Sequence, residues 1–347
     1  MQKWEQIQGV YIHTPFCLQK CLYCDFASYA GADTETMEKY VDAVCSEIMM
    51  RSNEVTIADQ ATLYFGGGTP SLLSEKLLAK LVEALQKNGC WLQPAEATIE
   101  VNPGTADLDK LRFFKDLGFD RISFGVQSLN DAELWAVGRI HTANEALDAI
   151  TMAEKAGFTR VSADLIYGLP EQSLQTLKTS LQNLTAAGLQ HLSVYGLTIE
   201  KNTPLAGMLD KGKVELPDED CQLAMYELVQ EYLEAQGLHR YEISNYAVSG
   251  QESRHNLVYW HYLPYLSFGS SACSFNGSQR FTATDSVTDY IESIQSGKSC
   301  GGFEDLTKEM QLSEYLFMGL RTTVGIDLIE TEQRFGCDVM LEFGVEL

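Results

Sequence analysis

Tyr11-Ile-His-Thr-Pro-Phe-Cys17-Leu-Gln-Lys-Cys21-Leu-Tyr23-Cys24 sets three cysteines at the spacing C-x3-C-x2-C. One short loop of this kind can wrap three thiolates around a single cubic iron–sulfur cluster. Ordinary electron-transfer cubanes take four cysteines, so three ligands leave the fourth iron open to bind something else. A structural zinc site wants four ligands, usually from paired C-x2-C knuckles, and the sequence holds no second pair. Cys21 and Cys24 form a redox-type C-x-x-C, but that chemistry has no use for Cys17. Three inert core thiols remain as the bland alternative, a poor fit to three cysteines within eight positions beside Pro15 and an aromatic run.

Outward from this loop, the composition narrows the class. The chain has 347 residues, 45% of them hydrophobic, enough for one large domain with a smaller appendage. The net charge of −23 is spread along the chain, which disfavours a nucleic-acid surface, because phosphate binding needs clustered Lys and Arg. No apolar run approaches the roughly 20 residues of a membrane span, and the first residues carry no signal-peptide core. Nine scattered cysteines, an odd number, suit a reducing cytoplasm better than a disulfide framework.

Apolar runs predict strands near 9–13, 61–66, 97–102, 121–126, 160–166 and 191–196. Met37, Tyr40, Val41, Val44 and Ile48 predict a helix over 34–51, and Ser74 caps a helix whose stripe is Leu77, Leu78, Leu81, Val82 and Leu85. The chain also repeats itself: Lys115-Asp-Leu-Gly118-Phe-Asp-Arg121-Ile-Ser123 matches Glu154-Lys-Ala-Gly157-Phe-Thr-Arg160-Val-Ser162, with a third copy at 187–193 and a weaker fourth at 236–241. Each copy is a helix end, a glycine able to take positive φ, an apolar anchor and a strand. Six βα units imply an α/β fold with parallel pairing; a closed eight-unit barrel is the alternative, with segments near 241–247 and 265–275 extending the sheet. The expected divisions are a core over 1–205, a helix plus aromatic extension over 206–302 and a short α-rich part over 303–347.

In barrel-like α/β folds the chemistry lies beyond the C-terminal strand ends, and the remaining candidates are expected there. Gly66-Gly67-Gly68-Thr69-Pro70 follows a strand; it lacks the lysine of a phosphate loop and reads either as a plain turn or as a place where a ligand approaches backbone. Glu100 can accept from hydroxyls or an ammonium, or form an ordinary salt bridge. Gln127 and Asp164 are polar residues at apolar strand ends, and Arg139 is either a bidentate carboxylate clamp or a surface arginine. In His255-Asn-Leu-Val-Tyr259-Trp260, an imidazole that can ligate haem iron sits beside two aromatic rings; an aromatic turn with a hydrogen-bonded histidine is the other reading.

C-x3-C-x-aromatic-C, with Tyr23 as the aromatic, resembles the radical S-adenosylmethionine (SAM) superfamily. The longer string Tyr11-x-His13-x-Pro15-Phe16-Cys17 resembles its branch of oxygen-independent coproporphyrinogen dehydrogenases and haem chaperones. The resemblance runs from about residue 8 to 335. It implies a partial (β/α)6 TIM-like barrel with a smaller C-terminal α-rich appendage, and a 4Fe–4S cluster on Cys17, Cys21 and Cys24. The open iron of that cluster would chelate SAM, whose reductive cleavage yields a 5′-deoxyadenosyl radical. It also implies SAM contacts from Gly67, Gly68 and Thr69, from the backbone of Tyr11 and Tyr23, and from Glu100, Gln127, Arg139 and Asp164. Within the branch, dehydrogenases look like C-x3-C-x2-C-x-C, whereas Phe26 stands at the extra position here; they also carry a longer segment before the cysteines. His255, Tyr259 and Trp260 match the H-N-x-x-Y-W of the chaperones and would hold haem, with His261 as fallback ligand. The family's C-terminal part looks longer than the segment beyond Phe335 in this chain. The expected function is a haem chaperone of the cytoplasm, with haem, an electron donor such as flavodoxin or ferredoxin and a haem-acceptor protein as partners and a homodimer as one possible assembly. Oxidative decarboxylation of coproporphyrinogen III is the alternative.

Overall fold

A computed structural model describes residues 4–91 and 93–344. Its centre is six strands that pair in chain order, each parallel to the next: β1 (Trp4–Thr14), β2 (Val55–Gly67), β3 (Ala97–Val101), β4 (Arg121–Gln127), β5 (Arg160–Tyr167) and β6 (His191–Gly196). Between consecutive strands lie α1 (Thr34–Arg51), α2 (Glu75–Lys87), α3 (Leu108–Asp116), α4 (Ala143–Lys155) and α5 (Leu174–Ala186). The predicted helix over 34–51 and all six strands are present. Gly118 and Gly157, the repeated glycines of the sequence, have φ of 101° and 92°, a region that costs other residues steric strain.

Past β6 the sheet becomes mixed. β7 (Asn245–Ala247) runs antiparallel to β6, after α6 (Glu219–Ala235), which packs beside α5. α7 (Arg254–Trp260) follows. At the other edge β8 (Tyr265–Phe268) pairs parallel with β1, and β9 (Cys273–Phe275), β10 (Gln279–Ala283) and β11 (Gly301–Asp305) continue antiparallel. The expected division at 302/303 falls inside β11, so the sheet crosses it. β11, which begins with Gly301-Gly302, is a largely exposed edge strand. Two further helices, α8 (Lys308–Gly319) and α9 (Leu328–Phe335), build a small cluster of their own around Tyr262, Phe275, Leu306 and Tyr315. Among the described residues no helix is long and apolar enough to cross a membrane.

Period-two alternation explains how the strands position a site. Leu63, Phe65, Ile99, Ile122, Phe124, Ala163, Leu165, Leu192 and Val194 are buried in one core. That core includes the α2 stripe Leu77, Leu78, Leu81, Val82 and Leu85, each side chain worth about 1.5–3 kcal/mol of burial. The intervening residues are polar: Tyr64, Glu100, Arg121, Ser123, Asp164, His191 and Ser193 line one common cavity. Five consecutive strands can share a cavity only if the sheet curls around it. The apolar face therefore takes the helices and the polar face becomes the interior wall of a partial barrel.

Candidate cluster and ligand site

The cysteine loop runs from the end of β1 across the top of that wall. Tyr11 and His13 anchor it. The Tyr11 hydroxyl lies 3.1 Å from His13 Nδ1, and His13 Nε2 is 3.0 Å from the carbonyl of Ala27, just past Cys24. Tyr11 is thus a partly buried anchor stacked on Tyr64. It does not line the pocket described next, and its backbone is in register with Tyr64 and Ser267. A strand periodicity of two points Tyr11 inward but leaves its depth undetermined.

Cys17, Cys21 and Cys24 share one pocket with Tyr23, Gly67, Gly68, Thr69, Glu100, Gln127, Arg139 and Asp164. All SAM-contact candidates except Tyr11 are therefore brought together from six segments of chain. Each thiol has a donor or hydroxyl partner. Thr69 Oγ1 lies 3.6 Å from Cys17 Sγ, Arg139 Nη1 donates to Cys21 Sγ at 3.4 Å, and Ser28 Oγ is 3.9 Å from Cys24 Sγ. Burial pushes the Cys17 thiol up, with the Thr69 and Ser28 hydroxyls opposing; such donors favour thiolate. Among the described residues no three His, Cys, Asp or Glu side chains stand close enough to hold one ion. A cubane gives each thiolate its own iron and so does not require the three sulfurs to meet at one ion. The three cysteines and their donors fit that group.

Asn102, which the motif reading passed over, joins two of these donors. Its Nδ2 donates to Thr69 Oγ1 at 2.7 Å and its Oδ1 accepts from Arg139 Nη2 at 2.8 Å. Arg139 also donates to the carbonyl of Gly125. Both terminal nitrogens of Arg139 are thus engaged, and a bidentate carboxylate clamp would require them to let go. The only hint in sequence was Asn102's place two residues after Glu100, on the same strand face.

Gly67 has φ of 112°, and a Cβ built there would lie 2.6 Å from the His13 ring. The glycine is required by His13 as well as by any ligand. At Gly68 a Cβ would meet Phe16 O at 2.7 Å and Cys17 Sγ at 3.0 Å, so here the turn does press on the cysteine loop. Glu100 accepts from Tyr64 Oη at 2.7 Å and from the Gly67 N–H at 3.1 Å. Burial, assisted by Asp164, raises its pKa to about 7 against these two bonds; burial raises Asp164 to about 6. Asp164 lies mid-strand, in register with Ser193, deeper than the strand end expected for it. Gln127 ends β4 in a left-handed conformation, φ 67°, beside a register shift. A non-glycine residue held there marks stored strain of a kind that clusters at functional sites.

His255, Tyr259 and Trp260 do not converge. His255 and Tyr259 lie four residues apart on one face of α7 and point into the barrel. His255 Nδ1 is 2.8 Å from Thr62 Oγ1, Nε2 is 2.9 Å from Tyr259 Oη, and its ring stacks on Tyr64 at 5.0 Å. Burial lowers its pKa to about 3, so the ring is neutral with both nitrogens occupied. Trp260 instead faces Arg321, whose guanidinium lies 5.5 Å from its ring centroid. His255 is thus hydrogen-bonded through both ring nitrogens, while the contact of Trp260 lies with Arg321 and not with His255 or Tyr259.

Residues 11–184 match the family described as the radical SAM superfamily. The chain is 35% identical over 335 residues to "Heme chaperone HemW" of Bacillus subtilis (strain 168), covering 95% of this chain and 87% of that one. It is 37% identical over 326 residues to the protein of that name from Synechocystis, covering 92% and 79%. Its structure resembles that of the coproporphyrinogen III oxidase HemN from Escherichia coli, described as a radical SAM enzyme, with a TM-score of 0.85, 22% identity, and coverage of 99% of this chain and 82% of that chain. At that identity the likeness establishes the fold.

Proposed function

The chain belongs to the radical SAM superfamily, and on that premise we propose that it binds a 4Fe–4S cluster, SAM and haem and acts as a haem chaperone that passes haem to an acceptor protein. One observation carries the reading. A pocket with three cysteines and no fourth, walled by Gly68, Thr69, Glu100, Gln127 and Asp164, occurs in a chain similar over almost its whole length to proteins named haem chaperones. When bound, the cluster supplies one electron for reductive cleavage of SAM. The chain's own groups do the rest: Thr69, Ser28 and Arg139 hold the thiolates, and Glu100 and Asp164 offer buried carboxyls to the polar groups of SAM. Phe26, 71% exposed at the pocket's rim, occupies the place of the extra cysteine of the dehydrogenase branch. The electron donor would be of the flavodoxin or ferredoxin class, and the setting the cytoplasm.

The haem ligand within this reading is His261. It is exposed at the end of α7 next to Trp260, whereas His255 has no free nitrogen. The test is an anaerobic haem titration alongside an assay with coproporphyrinogen III and SAM. The expected outcome is stoichiometric haem binding with an imidazole-type spectrum that His261→Ala changes, and no turnover of coproporphyrinogen III. Multiple turnovers to protoporphyrinogen, with haem absorbance indifferent to His261, would overturn the chaperone reading in favour of the dehydrogenase.

A further inference from the structure

Below the cluster pocket the curled sheet encloses a cavity of about 500 Å³. Its upper wall is shared with the SAM site through Tyr23, Glu100, Gln127 and Asp164; its floor is made by Arg121, His191, Ser193 and Asn256. None of these floor residues has a part in the function proposed above.

Arg121 begins β4 and is 2% exposed. Its Nη1 donates to the carbonyl of Gln251 at 3.1 Å, and among the described residues no carboxylate lies within 4 Å of its guanidinium. Asp164 acts on it electrostatically only from further up the wall. A buried cation without a contacting anion is costly. Neighbouring Arg160, by contrast, contacts Glu96 at 2.7 Å.

His191, 3% exposed, begins β6 on the same floor. Tyr241 Oη accepts the N–H of Ser253 at 3.2 Å and lies 2.8 Å from His191 Nε2. The phenol has one hydrogen, and Nε2 is its acceptor in this network, so the proton of the neutral ring is assigned to Nδ1. That Nδ1 has no partner among the described residues. Arg121 and His191 therefore bring unmatched N–H groups to one end of the cavity, with Tyr64, Tyr195 and Ile166 on its walls and the carboxyls of Glu100 and Asp164 higher up. Two donors, one of them charged, at the end of the cavity away from those carboxyls are complementary to a carboxylate.

We propose that the barrel floor is a carboxylate-binding site, in which a small organic acid distinct from SAM seats its anionic group on Arg121 and His191. Its remaining atoms would then extend up the cavity toward the SAM pocket.

The test uses the full chain with its cluster reconstituted and SAM bound. It is titrated with glutarate and with glutaramide, which matches glutarate in shape but carries no charge. Glutarate at about 20 mM should raise Tm by about 3 °C, against less than about 1 °C for glutaramide. Arg121→Gln should weaken glutarate binding at least about tenfold, and His191→Phe, which keeps the ring but removes the donor, should weaken it in the same direction. SAM affinity and iron content should stay within about twofold, because neither residue is among the SAM or cluster contacts. Haem added to the glutarate complex separates two sources of the acid: displacement assigns the floor to a haem propionate, simultaneous binding to a separate small acid. The proposal is overturned if glutarate and glutaramide act alike, which means solvent alone occupies the floor, or if Arg121→Gln binds glutarate as the parent does. Should that variant not fold, the comparison of the two ligands on the parent chain still decides.

Discussion

Replacing His255 by alanine separates a structural imidazole from a haem ligand. The ring is 1% exposed and bridges β2 to its own helix through Thr62 and Tyr259. Its loss removes two neutral hydrogen bonds, about 1 kcal/mol each, and strands the buried Tyr259 hydroxyl, at about 1–3 kcal/mol. Thr62 Oγ1 keeps a long contact to Gln8 O at 3.4 Å, so little is added there. The vacated ring volume between Tyr64 and Tyr11 adds a cavity term of about 1 kcal/mol or more. The total is about 4–6 kcal/mol, a large fraction of the 5–15 kcal/mol (roughly) that stabilises a domain. Urea unfolding followed by tyrosine and tryptophan fluorescence measures it, with Tyr259→Phe as the companion: the double mutant should fall short of additivity by about 1 kcal/mol. The folded fraction of His255→Ala should bind haem with an unchanged spectrum. If instead stability changes by less than about 1 kcal/mol and haem absorbance is lost, His255 is the ligand and the argument from its closed hydrogen bonds is wrong.

Two more outcomes concern the cluster site. Asn102→Ala releases both Thr69 and Arg139 and so weakens donors to Cys17 and Cys21; iron content should persist while the cluster's midpoint potential falls by about 20–40 mV, as expected for roughly 0.5–1 kcal/mol lost from the more negative state. A redox titration followed by EPR checks this, and an unchanged midpoint would mean that Asn102 is merely structural. Glu100→Gln reads out the buried carboxyl. Its folded-state pKa is raised from 4.5 to about 7, so the folded chain holds the proton more tightly than the unfolded one, and that stabilisation is complete below pH 4.5 and lost as pH rises through 7. Across this window the parent should lose about 3 kcal/mol relative to Glu100→Gln, and parallel stability–pH curves for the two proteins would refute the burial argument.

What the sequence determined by itself was local. The C-x3-C-x2-C loop, the helix over 34–51, the six strands and the repeated glycines are all set by spacings of a few residues, and the chain's own periodicity carries them without any distant contact. The grouping of Gly68, Thr69, Glu100 and Gln127 around the cysteines was legible too, since parallel βα units bring their strand ends to one side, whereas Asp164 reaches the same pocket from mid-strand. The tertiary structure alone decided what each polar residue faces once the strands curl. His255 meets Thr62 across 193 positions and Arg139 meets Cys21 across 118; no local pattern encodes such closures, and they engage both nitrogens of the His255 ring and give Cys21 an Arg139 donor. Tyr11 and His13 likewise became anchors of the loop, and Gly67 a consequence of the His13 ring. Arg121 and His191 look like ordinary first residues of strands in the sequence. Only when β4 and β6 bend toward each other do their unmatched donors share one cavity, because hydrogen-bond satisfaction is a property of the assembled interior and not of the chain.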